Sequence, residues 1–174
     1  MVFTIKSSKC VTQRETSTQI LMFWYKTTDG IHKYNSSVSP HCWRCSSGSL
    51  FHIFWQCSLI QPIWQEVRLL TQEVIEVSLP FDPLNFLLGL PLSGLTKNAN
   101  CLAAYILLAA KRLIPLCWLS GAPPPWPRFL HLVAEIRRME YLTASVNDSI
   151  PQFDKIWKPW DLSRYGSPVL LPSP

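Results

Sequence analysis

Glycine is scarce in this 174-residue chain, with six residues, and none of them forms the glycine-rich loop that cradles phosphates. Nucleotide chemistry of that kind is therefore excluded. Acidic residues number only eleven, scattered singly apart from Glu73 and Glu76 on one expected helix face. No aspartate pair is spaced to hold two magnesium ions as a polymerase does, and G-x-S-x-G and H-E-x-x-H are also missing. A catalytic role is not expected. The best early apolar run, residues 20–25, is too short for a secretory signal and lies far from a charged start. The protein is thus expected in the cytoplasm or nucleus, not secreted. The longest apolar stretch, residues 101–119, is interrupted near its middle by Lys111 and Arg112, which a bilayer would penalise by several kcal/mol. It reads as a buried core helix, so no membrane partner is expected. No internal repeat occurs, and no strand pattern survives more than four residues.

What the chain does have is apolar and aromatic mass. Hydrophobic residues make up 48 % of it, including eight Trp, eight Phe and five Tyr, far more than a disordered chain carries. Fifteen prolines cut the expected fold into short helices. The net charge of +5 is uneven. Residues 1–45 hold Lys6, Lys9, Arg14, Lys26, Lys33 and Arg44 against Glu15 and Asp29, an excess of four. A basic edge beside a nearly neutral body suits either nucleic acid or a merely solvated face.

Helical periodicity places the elements. A first helix is expected over about 12–25, ended by the Thr27-Thr28-Asp29-Gly30 turn. Pro62 suits a first helical turn, and Ile63, Val67, Leu70 and Val74 then recur at helical spacing toward Ser78-Leu79-Pro80. Asp82-Pro83 starts one short turn. Thr96 is the expected N-cap of a long apolar helix to about Leu119, bent or ended early by Pro115. An extended proline connector covers 121–127, a long helix about 128–144, and a last helix starts at Ser149-Ile150-Pro151 with Phe153, Ile156, Trp157 and Trp160. The fold class is all-α with loop-rich connectors. The expected organisation is an N-terminal segment with a connector helix at 1–41, a Cys/Cys/His/Cys insertion at 42–57, a helical domain at 58–163 and a disordered tail at 164–174.

The chemistry is concentrated between residues 42 and 57, where Cys42, Cys45, His52 and Cys57 form C-x2-C-x6-H-x4-C. Three thiolates and one imidazole are a standard tetrahedral zinc set, and the two-residue gap fits the turn that puts both sulfurs on one ion. Four protein ligands leave no open position, so the zinc would be structural. Gly48 would let the chain reverse between the ligand pairs. The interleaved Trp43, Phe51, Phe54 and Trp55 suit either a mini-core or platforms for stacking unpaired bases. The competing reading treats these cysteines as buried hydrophobes and His52 as a satisfied core histidine. His41 is the substitute ligand should His52 point elsewhere. Cys10, Cys101 and Cys117 have no partner spacing.

In order, Gln13-Arg14-Glu15-Thr16 through Trp24-Tyr25, Ser39-Pro40-His41-Cys42-Trp43-Arg44-Cys45 and Leu50-Phe51-His52-Ile53-Phe54-Trp55-Gln56-Cys57 resemble the extreme C-terminal region of reverse transcriptases from LINE-type non-LTR retrotransposons. Pro83 to Gly89, Leu107 to Ile114, Met139 to Ala144 and Phe153 to Trp160 extend the resemblance over about residues 13–160. It implies a truncated, small helical C-terminal domain with a zinc knuckle, lying downstream of a polymerase and gripping template RNA or target DNA. It further implies Cys42, Cys45, His52 and Cys57 as zinc ligands and Lys26, His32, Lys33, Trp43 and Arg44 as nucleic-acid contacts. The implied partners are RNA, single-stranded DNA and the rest of the parent reverse transcriptase. Thr28, Asp29 and Gly30 stand where relatives place a proline and an arginine, and the endonuclease and polymerase cores are missing. The alternatives are a structural helical domain that binds protein, or a non-functional relic of a truncated element.

Overall fold

The computed structural model describes residues 18–166, apart from 21, 23 and 46. The protein is all-α, with no strand among the described residues. The helices are α1 (Thr28–His32), α2 (Gln61–Ile75), α3 (Pro83–Phe86), α4 (Lys97–Cys117), α5 (Trp126–Val146) and α6 (Ile150–Leu162), with a π-helical turn at His52–Gln56 before α2. The first helix expected from the sequence lies largely outside the described residues, although 18–20 are helical. The turn expected at 27–30 is instead the start of α1, because the Thr27 hydroxyl accepts from the Gly30 amide at 3.2 Å.

Local chemistry sets most boundaries. Pro62 occupies the first turn of α2, where its missing N–H costs nothing. That helix stops at Ile75, short of the expected 78–80, because Glu76 takes a left-handed conformation with φ 55° and breaks the hydrogen-bond ladder. Asp82 caps α3 through the Leu84 amide at 2.9 Å. Thr96 caps α4 through the Ala99 amide at 3.3 Å. The preceding loop is pinned by Asn100, whose buried side chain accepts from Leu92 N–H at 2.8 Å and donates to the Leu92 carbonyl. Pro115 does not end α4, which runs on to Cys117. Two residues from the helix end, its ring removes little beyond the bond to the Lys111 carbonyl. Pro127 likewise falls in a tolerant first turn, so α5 starts at Trp126, two residues earlier than expected.

Helix α4 forms the axis of the fold. Every residue from Asn100 to Lys111 is buried, and α2, α5 and α6 all pack against it. It is long and apolar enough to cross a membrane by length and composition, and 78 % of its most apolar window is buried inside the fold. Ala103, Ala104, Ala109 and Ala110 keep its surface thin, which lets the large side chains of its neighbours approach closely. Tyr105 stacks on Trp157 of α6 at 5.5 Å between ring centroids, and its hydroxyl donates to Glu140 of α5 at 2.8 Å. A second aromatic group, Trp55, Trp64, Phe81 and Phe86, joins the π turn to α2 and α3. Cys42, Phe54 and Cys57 belong to the same continuous core as α4 to α6, so the Cys/His segment packs onto the helices directly.

Candidate metal centre

The side-chain donors of Cys42, Cys45, His52 and Cys57 all lie within 4.8 Å of one another. Cys45 Sγ is 2.9 Å from His52 Nε2 and 3.5 Å from Cys57 Sγ. A tetrahedral ion bonded at about 2.3 Å to sulfur and about 2.0 Å to nitrogen separates neighbouring donors by about 3.3–3.8 Å. Small side-chain adjustments therefore suffice to enclose one ion. The three cysteines of the cluster, like Cys101 and Cys117, are free thiols unlinked by disulfides. The cluster can hold a metal ion.

The π turn explains how His52 and Cys57 meet. Five residues along an α-helix advance about 500°, leaving the fifth side chain about 140° away from the first. Here the Cys57 amide instead donates to the His52 carbonyl at 2.9 Å, an i to i+5 bond that widens the turn and returns the side chains to one side. At its start, the Ser49 hydroxyl accepts from the His52 amide at 3.2 Å. At its end, Trp64 Nε1 donates to the Phe54 carbonyl at 2.7 Å and fastens the turn to α2.

Space, rather than unusual dihedral angles, dictates Gly48. A Cβ there would stand 2.0 Å from the Pro40 carbonyl oxygen and 2.1 Å from Thr28 Oγ1. The glycine thus brings the loop between the ligand pairs flush against α1. His32 holds the segment that follows α1, its Nδ1 lying 2.6 Å from the Val38 carbonyl.

Burial disfavours charge on two of the donors, His52 and Cys57. It lowers the His52 pKa, keeping the ring neutral and its lone pair free for a metal. Burial also pushes the Cys57 thiol up to about 11; the Leu59 backbone hydrogen bond opposes this, while Cys45 and Cys42 add to it. The Cys57 thiol therefore keeps its proton until a cation displaces it.

The remaining sequence candidates surround the cluster without joining it. Lys26 is exposed, and Lys33 forms a solvent-exposed pair with Asp29 at 3.4 Å. Trp43 leans on Trp118 at 5.4 Å between ring centroids, keeping an exposed edge. Arg44 turns inward, donating from Nη2 to the Cys117 carbonyl at the end of α4. His41 is exposed and outside the donor group. Cys101 is buried along α4 and Cys117 ends it, both remote in sequence from the cluster, while Cys10 lies outside the described residues. Beside the cluster is an open groove of about 460 Å³, lined by Tyr25, Lys26, Lys33, Tyr34 and Phe51 among others. Of the aromatic residues expected as stacking platforms, Phe51 lines this groove, whereas Tyr34 carries no motif or spacing in the sequence that marks it as a groove residue. No protein-family model matches the chain.

Proposed function

We propose that this protein is a non-catalytic nucleic-acid-binding domain whose Cys42/Cys45/His52/Cys57 centre holds a structural zinc ion. A donor set of three thiolates and one neutral imidazole favours zinc, and the four protein ligands leave it no position for substrate. The observation that carries the nucleic-acid reading is the groove beside the centre, which combines Lys26 and Lys33 with the rings of Tyr25, Tyr34 and Phe51. Tyr34 is 92 % exposed and Phe51 46 %, so both rings are open to stacking by unpaired bases. The lysines would take the adjoining phosphates. With the motif order described above, this supports a domain derived from the C-terminal region of a LINE-type reverse transcriptase, gripping template RNA or target single-stranded DNA.

Zinc quantification on purified protein and titration of a single-stranded RNA at two salt concentrations test the reading together. About one zinc per chain is expected. If Lys26 and Lys33 each neutralise one phosphate, affinity falls about sevenfold between 50 and 200 mM salt. Zinc at stoichiometric level with no salt-sensitive RNA binding would favour the second reading, a helical domain that docks protein. That alternative draws on the exposed Met139, Leu142 and Val146, which share one outer stripe of α5.

A further inference from the structure

Arg44 stands between two ligands in sequence, one residue from Cys45 and two from Cys42, yet its guanidinium is directed into the fold. Nη2 donates to the carbonyl of Cys117, the last residue of α4. That helix has no basic residue in its own last turn, so Arg44 supplies the cation its negative end lacks. Nε and Nη1 are buried with no hydrogen-bond partner, and among the described residues no carboxylate pairs with Arg44. A buried, permanently charged group without a carboxylate needs another source of negative charge. The loop that carries it is also fixed on α4 by Trp43 against Trp118, and the Arg44 amide donates toward Cys42 Sγ at 3.5 Å.

We propose that Arg44 is a positioning residue of the metal centre: its guanidinium is the counter-charge of the three-thiolate site and moors that site to the C-terminal end of α4. This rests on the reading that the cluster binds a divalent ion. Three thiolates, one neutral imidazole and a dication sum to one net negative charge, and Arg44 is the cation built into the ligand loop. Outer partners of this type change metal affinity by about 10–100-fold. The charge argument also makes a specific claim: with two thiolates and two imidazoles the centre is neutral, and Arg44 then has little to balance.

The test is metal affinity, measured with zinc against a chromophoric chelator and with cobalt through its thiolate absorption band. The variants are Arg44→Gln, Arg44→Lys, Cys45→His and the Cys45→His/Arg44→Gln double variant, with folding followed by circular dichroism. Cys45 is the site for the swap because it is the most exposed of the four ligands. Arg44→Gln is expected to weaken binding about 10–100-fold, Arg44→Lys by less than about threefold, and Arg44→Gln on the Cys45→His background by less than about threefold. Equal losses from Arg44→Gln on both backgrounds, or a loss beyond threefold for Arg44→Lys, would overturn the counter-charge role and leave Arg44 as packing alone. Should Arg44→Gln not fold, or Cys45→His not load, the Arg44→Lys threshold decides by itself. Failure of the unaltered protein to take up either metal would instead remove the metal reading itself, and this proposal with it.

Discussion

Lys111 provides the sharpest quantitative test of the fold. Its side chain is completely buried in α4, and Nζ has the Leu87 carbonyl as a distant partner at 3.4 Å. Burial lowers its pKa from 10.5 to about 8. The unfolded chain therefore binds more protons between pH 8 and 10.5, and stability rises with pH across that window. Below pH 8 both states are protonated and the cost of the buried charge is fully present. With 1.36 kcal/mol per pKa unit, this cost is about 3.3 kcal/mol at pH 7 and about 0.8 kcal/mol at pH 10. Lys111→Met removes it but leaves the Leu87 carbonyl without its donor, a loss of about 1 kcal/mol. The variant should thus be about 2 kcal/mol more stable at pH 7, with that advantage shrinking by about 2.5 kcal/mol on reaching pH 10. Urea unfolding of both proteins from pH 7 to pH 10, followed by circular dichroism, measures the difference, in which other titrations common to both cancel. A difference that stays constant with pH would refute the buried-charge argument.

Gly48→Ala forces a Cβ into the Pro40 carbonyl and Thr28, so it should cost about 1–3 kcal/mol, and thermal melts of the metal-loaded protein would show no change if the loop can simply step aside. Trp64→Phe strands the buried Phe54 carbonyl and is expected to cost about 2–3 kcal/mol in urea unfolding; a loss under 0.5 kcal/mol would mean the π turn is not fastened through that bond. Metal affinity should fall by at least about tenfold per pH unit below neutrality, since protons return to thiols such as Cys57; chelator competition at pH 6, 7 and 8 would expose a flat profile if the sulfurs did not bind. Removing the metal with a chelator should loosen the turn around Phe54 and Trp55, read as lost hydrogen-exchange protection at 49–57, with α5 retained.

Features governed by neighbouring residues were legible in the sequence. Thr96 and Asp82 cap the helices expected of them, and Pro62 stands in the first turn, because capping chemistry is complete within three or four residues. The four donors that converge were readable from type and spacing for the same reason. What escaped depends on distant partners. The spacing of His52 and Cys57 fits several turns, and the π form follows from their convergence with Cys42 and Cys45 and from the anchor on Trp64. Arg44 looked like a phosphate contact because its acceptor lies 73 positions away. The Lys111-Arg112 pair read as one charged break in an apolar run, yet a turn of 100° sends Arg112 to Glu135 and Lys111 into the core.

Helix α6 brings in Phe153, Trp157 and Trp160, which complete the core against α4 and α5, and a two-pronged Arg137–Asp161 contact at 2.8 Å fastens it there. During synthesis, α4 would leave the ribosome with the flank around Tyr105 still bare. At translation speeds of about 5–20 residues per second, that greasy surface waits several seconds for its cover. The nascent chain is then most vulnerable to clumping, and a stop codon anywhere before Trp157 would make that interval permanent.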